Sequence, residues 1–320
     1  MIKVYPIRTK MSNKTKTILI RADSSATIGT GHIMRDLVLA KRYFPNDEVI
    51  FATQELEGNI NNKILQEGYA IEPLCSNDLE EFEKIIQQHN PNMIIIDHYG
   101  VDYEIEKELK NNHPSTTLLV LDDTYEKHHC DILLNHNIYA DEKRYENLVP
   151  KGCEVWCGER YTLIRDEFKE VKANIENYKY KNGKFNVFVA MGGADHSNIT
   201  SKIVDSLRDF GNMHLHIVTT SANKNLSSLQ NYLKSQKNTT LYVDANNIAA
   251  IMGGCDLCIV TPSVILNEVF FLQLPFIAIE TASNQKEMSR YLEKQEYYIM
   301  YCFDKDILRK MVQHLYKGIS

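Results

Sequence analysis

The sequence predicts an α/β chain built of two doubly wound, Rossmann-like domains facing a cleft, and three observations carry that expectation. Short β-rich runs alternate with helix-period segments along nearly the whole chain. Several runs are continuously apolar, Ile94-Ile95-Ile96 and Leu118-Leu119-Val120-Leu121 among them, as a parallel strand covered on both faces requires. The series then restarts, and each half opens with a strand, a Gly-containing turn and a helix. A length of 320 residues suits two domains of ordinary size.

In chain order, strands are expected at 17–21, 48–52, 70–74, 93–97, 117–121 and 131–135. A second series follows at 185–191, 214–219, 240–243, 257–260 and 276–280. Helical periodicity marks 33–44, 79–88, 198–207 and 264–272. The polar, weakly periodic stretch 166–184 reads as the connection, so the domains are expected at 1–165 and 166–320. In open α/β sheets ligands sit beyond the carboxyl ends of the strands, which puts both Gly-containing turns toward the expected cleft.

Charge and composition remove other classes. The formal net charge is −6 and no basic block is sustained, which argues against a nucleic-acid reader. Residues 1–16 are polar and lack the apolar core of a signal peptide, and the apolar-rich stretch 257–279 is broken by Pro262, Asn267, Glu268, Gln273 and Pro275. Seven cysteines, an odd number, are scattered along the chain and do not suggest a disulfide framework. The expectation is a cytoplasmic, monomeric enzyme with no membrane partner.

The candidate chemistry begins in the stretch from Arg21 to Arg35, where Arg21, Asp23 and Ser24 precede Gly29-Thr30-Gly31-His32. Gly29 and Gly31 let backbone approach a ligand closely. His32 falls at a helix start, whose positive dipole end is expected to hold the imidazole neutral, as a general base requires. A helix-capping or loop-bonding role is the alternative for His32. The spacing is not the dinucleotide fingerprint, because Met34 stands where its third glycine belongs.

In the second half, Gly192 and Gly193 of Met191-Gly192-Gly193-Ala194-Asp195 suit an anion held on backbone amides, or a plain strand-to-helix turn. Ser221 follows another strand, and Ser263 opens a helix that carries Asn267 and Glu268. Glu268 is placed to accept a ribose diol, with a solvated helix position as the alternative. Asp97, His98 and Tyr99 end an apolar strand and are expected to point into the cleft, where an aromatic hydroxyl suits a sugar; a sheet-edge cap is the other reading. The pairs Cys255/Cys258 and Cys153/Cys157 and the run His128-His129-Cys130 read as buried or incidental, so no metal and no cofactor are expected.

These segments, with His129-Cys130-Asp131-Ile132-Leu133-Leu134-Asn135, occur in an order and spacing that resembles the PseG family, the UDP-sugar hydrolases of pseudaminic acid biosynthesis. The likeness runs from about residue 16 to the end, and residues 1–15 form an extension that the family pattern lacks, with Met11 as an alternative start. Thr261-Pro262 also departs from the small residues usual before Ser263. The resemblance implies a GT-B-like fold and metal-free hydrolysis of UDP-2,4-diacetamido-2,4,6-trideoxy-β-L-altropyranose on the route to flagellin glycosylation. It implies His32 as the catalytic histidine and Tyr99 as the active-site tyrosine. Uridine and ribose contacts fall around Gly193, Asp195, Ser221, Ser263 and Glu268, and Asn284 matches a sugar-facing polar position. A GT-B glycosyltransferase or a 2-epimerising UDP-sugar hydrolase would share the nucleotide half. A sugar-nucleotide sensor that binds without turnover is a third class.

Overall fold

The computed structural model describes residues 15–319, so residues 1–14 of the expected extension lie outside it. Contacts divide the chain into two compact units between Leu163 and Ile164.

The first unit runs β1 (Thr17–Ala22), α1 (Gly31–Tyr43), β2 (Glu48–Gln54), α2 (Asn61–Gln66), β3 (Ala70–Leu74), α3 (Leu79–His89), β4 (Met93–Asp97), α4 (Tyr103–Asn112), β5 (Thr117–Leu121), β6 (Ile132–Asn135) and β7 (Glu154–Cys157). Its strands form one sheet in the order β3-β2-β1-β4-β5-β6-β7, with every pairing parallel. The apolar runs are buried on both faces: Ile18 and Ile20 join one core cluster, and Leu19, Ile94 and Ile96 join the other. The order reverses between β1 and β4, where Ala22 lies opposite Asp97. The loop after β1 and the loop after β4 therefore emerge side by side.

The second unit runs α5 (Asp166–Ala173), α6 (Ile175–Tyr178), β8 (Phe185–Ala190), α7 (Ile199–Leu207), β9 (Met213–Thr219), α8 (Leu226–Leu233), β10 (Thr239–Val243), α9 (Ile248–Gly254), β11 (Leu257–Val260), α10 (Val264–Leu272), β12 (Phe276–Ile279), α11 (Lys286–Lys294), β13 (Ile299–Met300) and α12 (Lys305–Ile319). Its sheet order is β10-β9-β8-β11-β12-β13, again parallel throughout. Here the reversal lies between β8 and β11, with Ala190 opposite Val260.

Two expectations are corrected. The edge strands β7 and β13 carry only four and two residues and had no run long enough to register in the sequence; pairing with β6 and β12 creates them. The stretch 166–184 is not a bare connection. It forms α5 and α6, Phe168 is fully buried, and Tyr178 and Tyr180 pack on Gly254 of α9. Its polar residues mark the exposed faces of helices that belong to the second unit.

A Cβ on Gly254 would meet Tyr180 Cε2 at 2.6 Å and the Tyr178 carbonyl oxygen at 2.8 Å. The backbone oxygen cannot swing aside, so Gly254→Ala is expected to cost about 1–3 kcal/mol. A denaturant midpoint equal to wild type would show that α6 does not pack as described.

Candidate functional site

The β1/β4 reversal gathers the first unit's chemistry. After β1 the chain makes a tight turn in which the Ser25 hydroxyl accepts from the amides of Thr27 and Ile28 and Gly29 takes φ +88°, a conformation that suits glycine. Gly31 then begins α1 and His32 is its second residue. The His32 ring nitrogen Nδ1 lies 2.9 Å from the Asp97 carbonyl oxygen and 3.2 Å from its carboxylate Oδ1. Nδ1 is thereby committed to β4, and Nε2 is the nitrogen left for a proton from outside. Tyr99 packs edge-on against the imidazole, ring centroids 4.9 Å apart, with half of its surface exposed.

The expected electrostatics of His32 are reversed. Burial favours the neutral ring, but the Asp97 carboxylate outweighs both burial and repulsion from Arg35, and raises the imidazole above its ordinary pKa. A full charge in contact overrides the partial charge of a helix end. Asp97 does not open outward as expected. It is buried behind His32, with Arg35 Nε and Nη2 donating to its two oxygens at 2.6 and 2.5 Å. Burial would raise its carboxyl, but Arg35 and then His32 hold it well below the usual range.

Arg21, Asp23 and Ser24 are also turned inward. The Arg21 guanidinium donates twice to Asp23, at 2.8 Å each, and once to Asn77 at 2.6 Å. Asp23 further accepts from the Gln54 amide and lies 3.2 Å from His98 Nε2. The Ser24 hydroxyl accepts from the Ile60 amide. All three residues are buried, and these bonds tie the loops after β1, β2 and β4 together. Their geometry is that of a scaffold under the site. His98 belongs to the same scaffold, so of the trio ending β4 only Tyr99 is exposed.

In the second unit the β8/β11 reversal brings Gly192-Gly193 and Thr261-Pro262-Ser263 to one end of the sheet. Gly192 has φ +78°, and the Gly193 carbonyl accepts from the hydroxyls of Thr219 and Thr220. Asp195 departs from expectation: its carboxylate oxygens accept from the amides of Ile199 at 2.8 Å and Thr200 at 3.0 Å. It caps α7 from within, which takes up two of that helix end's donors and places a carboxylate there. The start of α10 differs, since its N-cap Ser263 makes no side-chain cap bond and instead pairs with the Thr261 hydroxyl at 2.9 Å.

Glu268 is neither solvated nor alone. It is buried, and Arg165 Nε and Nη2 donate to its two oxygens at 2.7 and 2.9 Å. Asn267 is buried beside it in sequence, whereas Ser221 and Asn284 are exposed, the Ser221 amide donating to Asp244.

Four residues escaped the sequence reading. Arg35 lies three positions after His32, one helical turn along the same face, which was a readable signal. Asp36 is buried next to the Asp97 carboxylate, and Asp123 reaches the site only because β5 lies beside β4. Arg165 meets Glu268 across 103 positions of sequence, a pairing no local pattern announces. Elsewhere His128 is bonded to Glu106 and anchors a loop, and among the described residues no group of His, Cys, Asp and Glu could hold a metal ion. No helix among them is long and apolar enough to cross a membrane.

Two parallel Rossmann-like units, each with candidate residues at its own switch point, define the architecture of GT-B nucleotide-sugar enzymes. Solved structures agree on the fold: the spinosyn rhamnosyltransferase SpnG has TM-score 0.64 at 9% identity, covering 95% of this chain and 92% of that one. MurG of Acinetobacter baumannii has TM-score 0.60 at 11% identity, covering 94% and 90%. No family model matches the chain. By sequence it is 39% identical over 285 residues to the UDP-2,4-diacetamido-2,4,6-trideoxy-β-L-altropyranose hydrolase of Campylobacter jejuni, covering 89% of this chain and 98% of that protein. An uncharacterized protein of Methanocaldococcus jannaschii is 27% identical over 87% of this chain and 58% of its own length. The spore coat polysaccharide biosynthesis protein SpsG of Bacillus subtilis is 22% identical over 83% of this chain and 78% of that protein. The chain belongs to the UDP-sugar hydrolase family of the Campylobacter enzyme and is an enzyme.

Because Asp195 closes α7 rather than facing outward, Asp195→Ala is expected to cost about 1 kcal/mol of stability and to leave UDP affinity within twofold of wild type. Calorimetric titration with UDP checks this, and a large loss of affinity would return Asp195 to the ligand.

Proposed function

We propose that the chain hydrolyses UDP-2,4-diacetamido-2,4,6-trideoxy-β-L-altropyranose by direct attack of water on the anomeric carbon, with inversion, releasing UDP and the free sugar. The observation that carries this is the His32 imidazole, fixed through Nδ1 by Asp97 and packed on Tyr99, at the carboxyl ends of β1 and β4. A water on Nε2 gives its proton to the ring as its oxygen attacks, and Asp97 stabilises the imidazolium that forms. Tyr99 would orient the sugar. UDP is a good leaving group, so no strong general acid is required, and neither is a metal.

The nucleotide half of the reaction is assigned to the second unit. Charge building on the diphosphate would be met by the amides that open α10 after Ser263, together with the backbone turn at Gly192 and Gly193. The internal cap on α7 favours α10 over α7 for that role. Glu268, held by Arg165, would accept the ribose hydroxyls, with Ser221, Asn267 and Asn284 as further contacts. The first unit would supply the base and the second would bind UDP. We assign the reaction to the cytoplasm, to a monomer, and to a route that ends in flagellin glycosylation.

GT-B relatives pass sugars to acceptors, so the deciding test omits the acceptor. In H2-18O the label is expected in the free sugar, with configuration at C2 retained; label in UDP sinks direct C–O cleavage, and inverted C2 indicates the epimerising hydrolase. His32→Ala should lower kcat by about 10²–10⁴-fold, and an unchanged rate rejects the base. The base must be neutral to act, and its pKa lies above the ordinary 6.5. The wild-type kcat/KM should therefore fall as pH drops through that raised value and level off above it.

A further inference from the structure

The groups behind His32 and Tyr99 form one closed circuit. His32 Nδ1 meets Asp97, and the two oxygens of Asp97 are clamped by Arg35 Nε and Nη2. The remaining terminal nitrogen of Arg35, Nη1, donates to Asp123 Oδ2 at 3.0 Å. The Tyr99 hydroxyl donates to the same Asp123 carboxylate, 2.9 and 3.1 Å from its oxygens. The circuit closes where the Tyr99 ring meets the imidazole edge-on.

Asp123 is itself held firmly. Its neighbour Asp122 accepts from the amides of Thr124 and Tyr125 and from the Tyr145 hydroxyl. The Tyr139 hydroxyl donates to the Asp123 carbonyl. The loop after β5 thus presents this carboxylate in one place.

We propose that Arg35 and Asp123 are positioning residues for hydrolysis: one guanidinium, holding Asp97 behind His32 and Asp123 behind Tyr99, fixes both side chains relative to each other and sets the charge into which the imidazole takes its proton. This rests on His32 being the base. Only an arginine presents donors to two carboxylates at once in a fixed plane, because a lysine ammonium lacks the planar fork.

The charge balance follows from every group facing the imidazole. On α1 these are Arg35, a cation, and Asp36, whose neutral form burial and the nearby Asp97 charge favour. Asp97 at the end of β4 and Asp123 after β5 are anions, and Tyr99 is a neutral phenol donor to Asp123. His136 after β6 is pushed down to about 3 by burial and by Arg35, so it is neutral. One cation therefore faces two anions, and a proton on His32 completes the balance. The circuit stabilises the imidazolium that forms as water loses its proton, and it does so without reorganisation.

The test uses Asp123→Asn in the full chain, which preserves shape and removes one anion. The His32 imidazole is titrated by NMR, a readout that needs no turnover, and is expected to titrate at lower pH than in wild type. In steady-state assays on the UDP-sugar, Asp123→Asn should lower kcat about 10-fold. Added to Tyr99→Phe it should lower kcat no further, since both break the same link. Arg35→Lys should show the same loss as Asp123→Asn, not rescue. An unmoved titration, or effects of Asp123→Asn and Tyr99→Phe that multiply, overturns the proposal. Failure of the base reading looks different: His32→Ala then hydrolyses at the wild-type rate whatever the titration shows.

Discussion

A parallel sheet imposes the constraint on which the rest of this structure depends. Every strand must be re-entered from the same end, so all loops that follow strands collect along one edge, and those at a reversal of strand order diverge in opposite directions and leave room between them. In the first unit that reversal sets Ala22 opposite Asp97. It is why the turn carrying His32 and the segment carrying Tyr99 meet, although 67 positions separate them in sequence. The second unit applies the same rule at Ala190 and Val260 and gathers the Gly192-Gly193 turn and Ser263.

On that frame, buried charge does the finer positioning. Asp97 could not remain ionised inside the unit without a partner, and the bidentate Arg35 supplies one. Once ionised, Asp97 fixes the orientation of His32 and reverses the preference that burial alone would give it. The Arg21–Asp23 pair works beneath the same loops, where it satisfies backbone and side-chain groups of three connections. In the second unit Arg165 and Glu268 form a comparable buried pair, which presents Glu268 in one orientation.

The division between brace and ligand contact was the hardest part to read in the sequence. Arg21, Asp23 and Asp195 had the residue types of a polar site, yet each closes a local structure: two tie loops and one caps α7. Residue type and spacing report that a polar group is needed near a strand end. They do not report whether its partner is a ligand or a backbone amide, because both offer the same hydrogen bonds. Asp123 carried no local signal at all, since its relation to Tyr99 depends on β5 lying next to β4.

What the sequence determined by itself was most of the strands, the doubly wound class and the Gly-containing turn that follows the first strand of each unit. Continuous apolar runs such as Ile94-Ile95-Ile96 specify a covered parallel strand wherever they are set, and Gly29 and Gly192 both take positive φ in those turns. Only the tertiary structure decided which polar side chains face each other, and with that the ionisation of His32. The helix start that suggested a neutral ring is present, but a carboxylate from a strand 65 positions away lies in contact with it. Electrostatic energy depends on distance in space, and no local pattern in the chain encodes that distance.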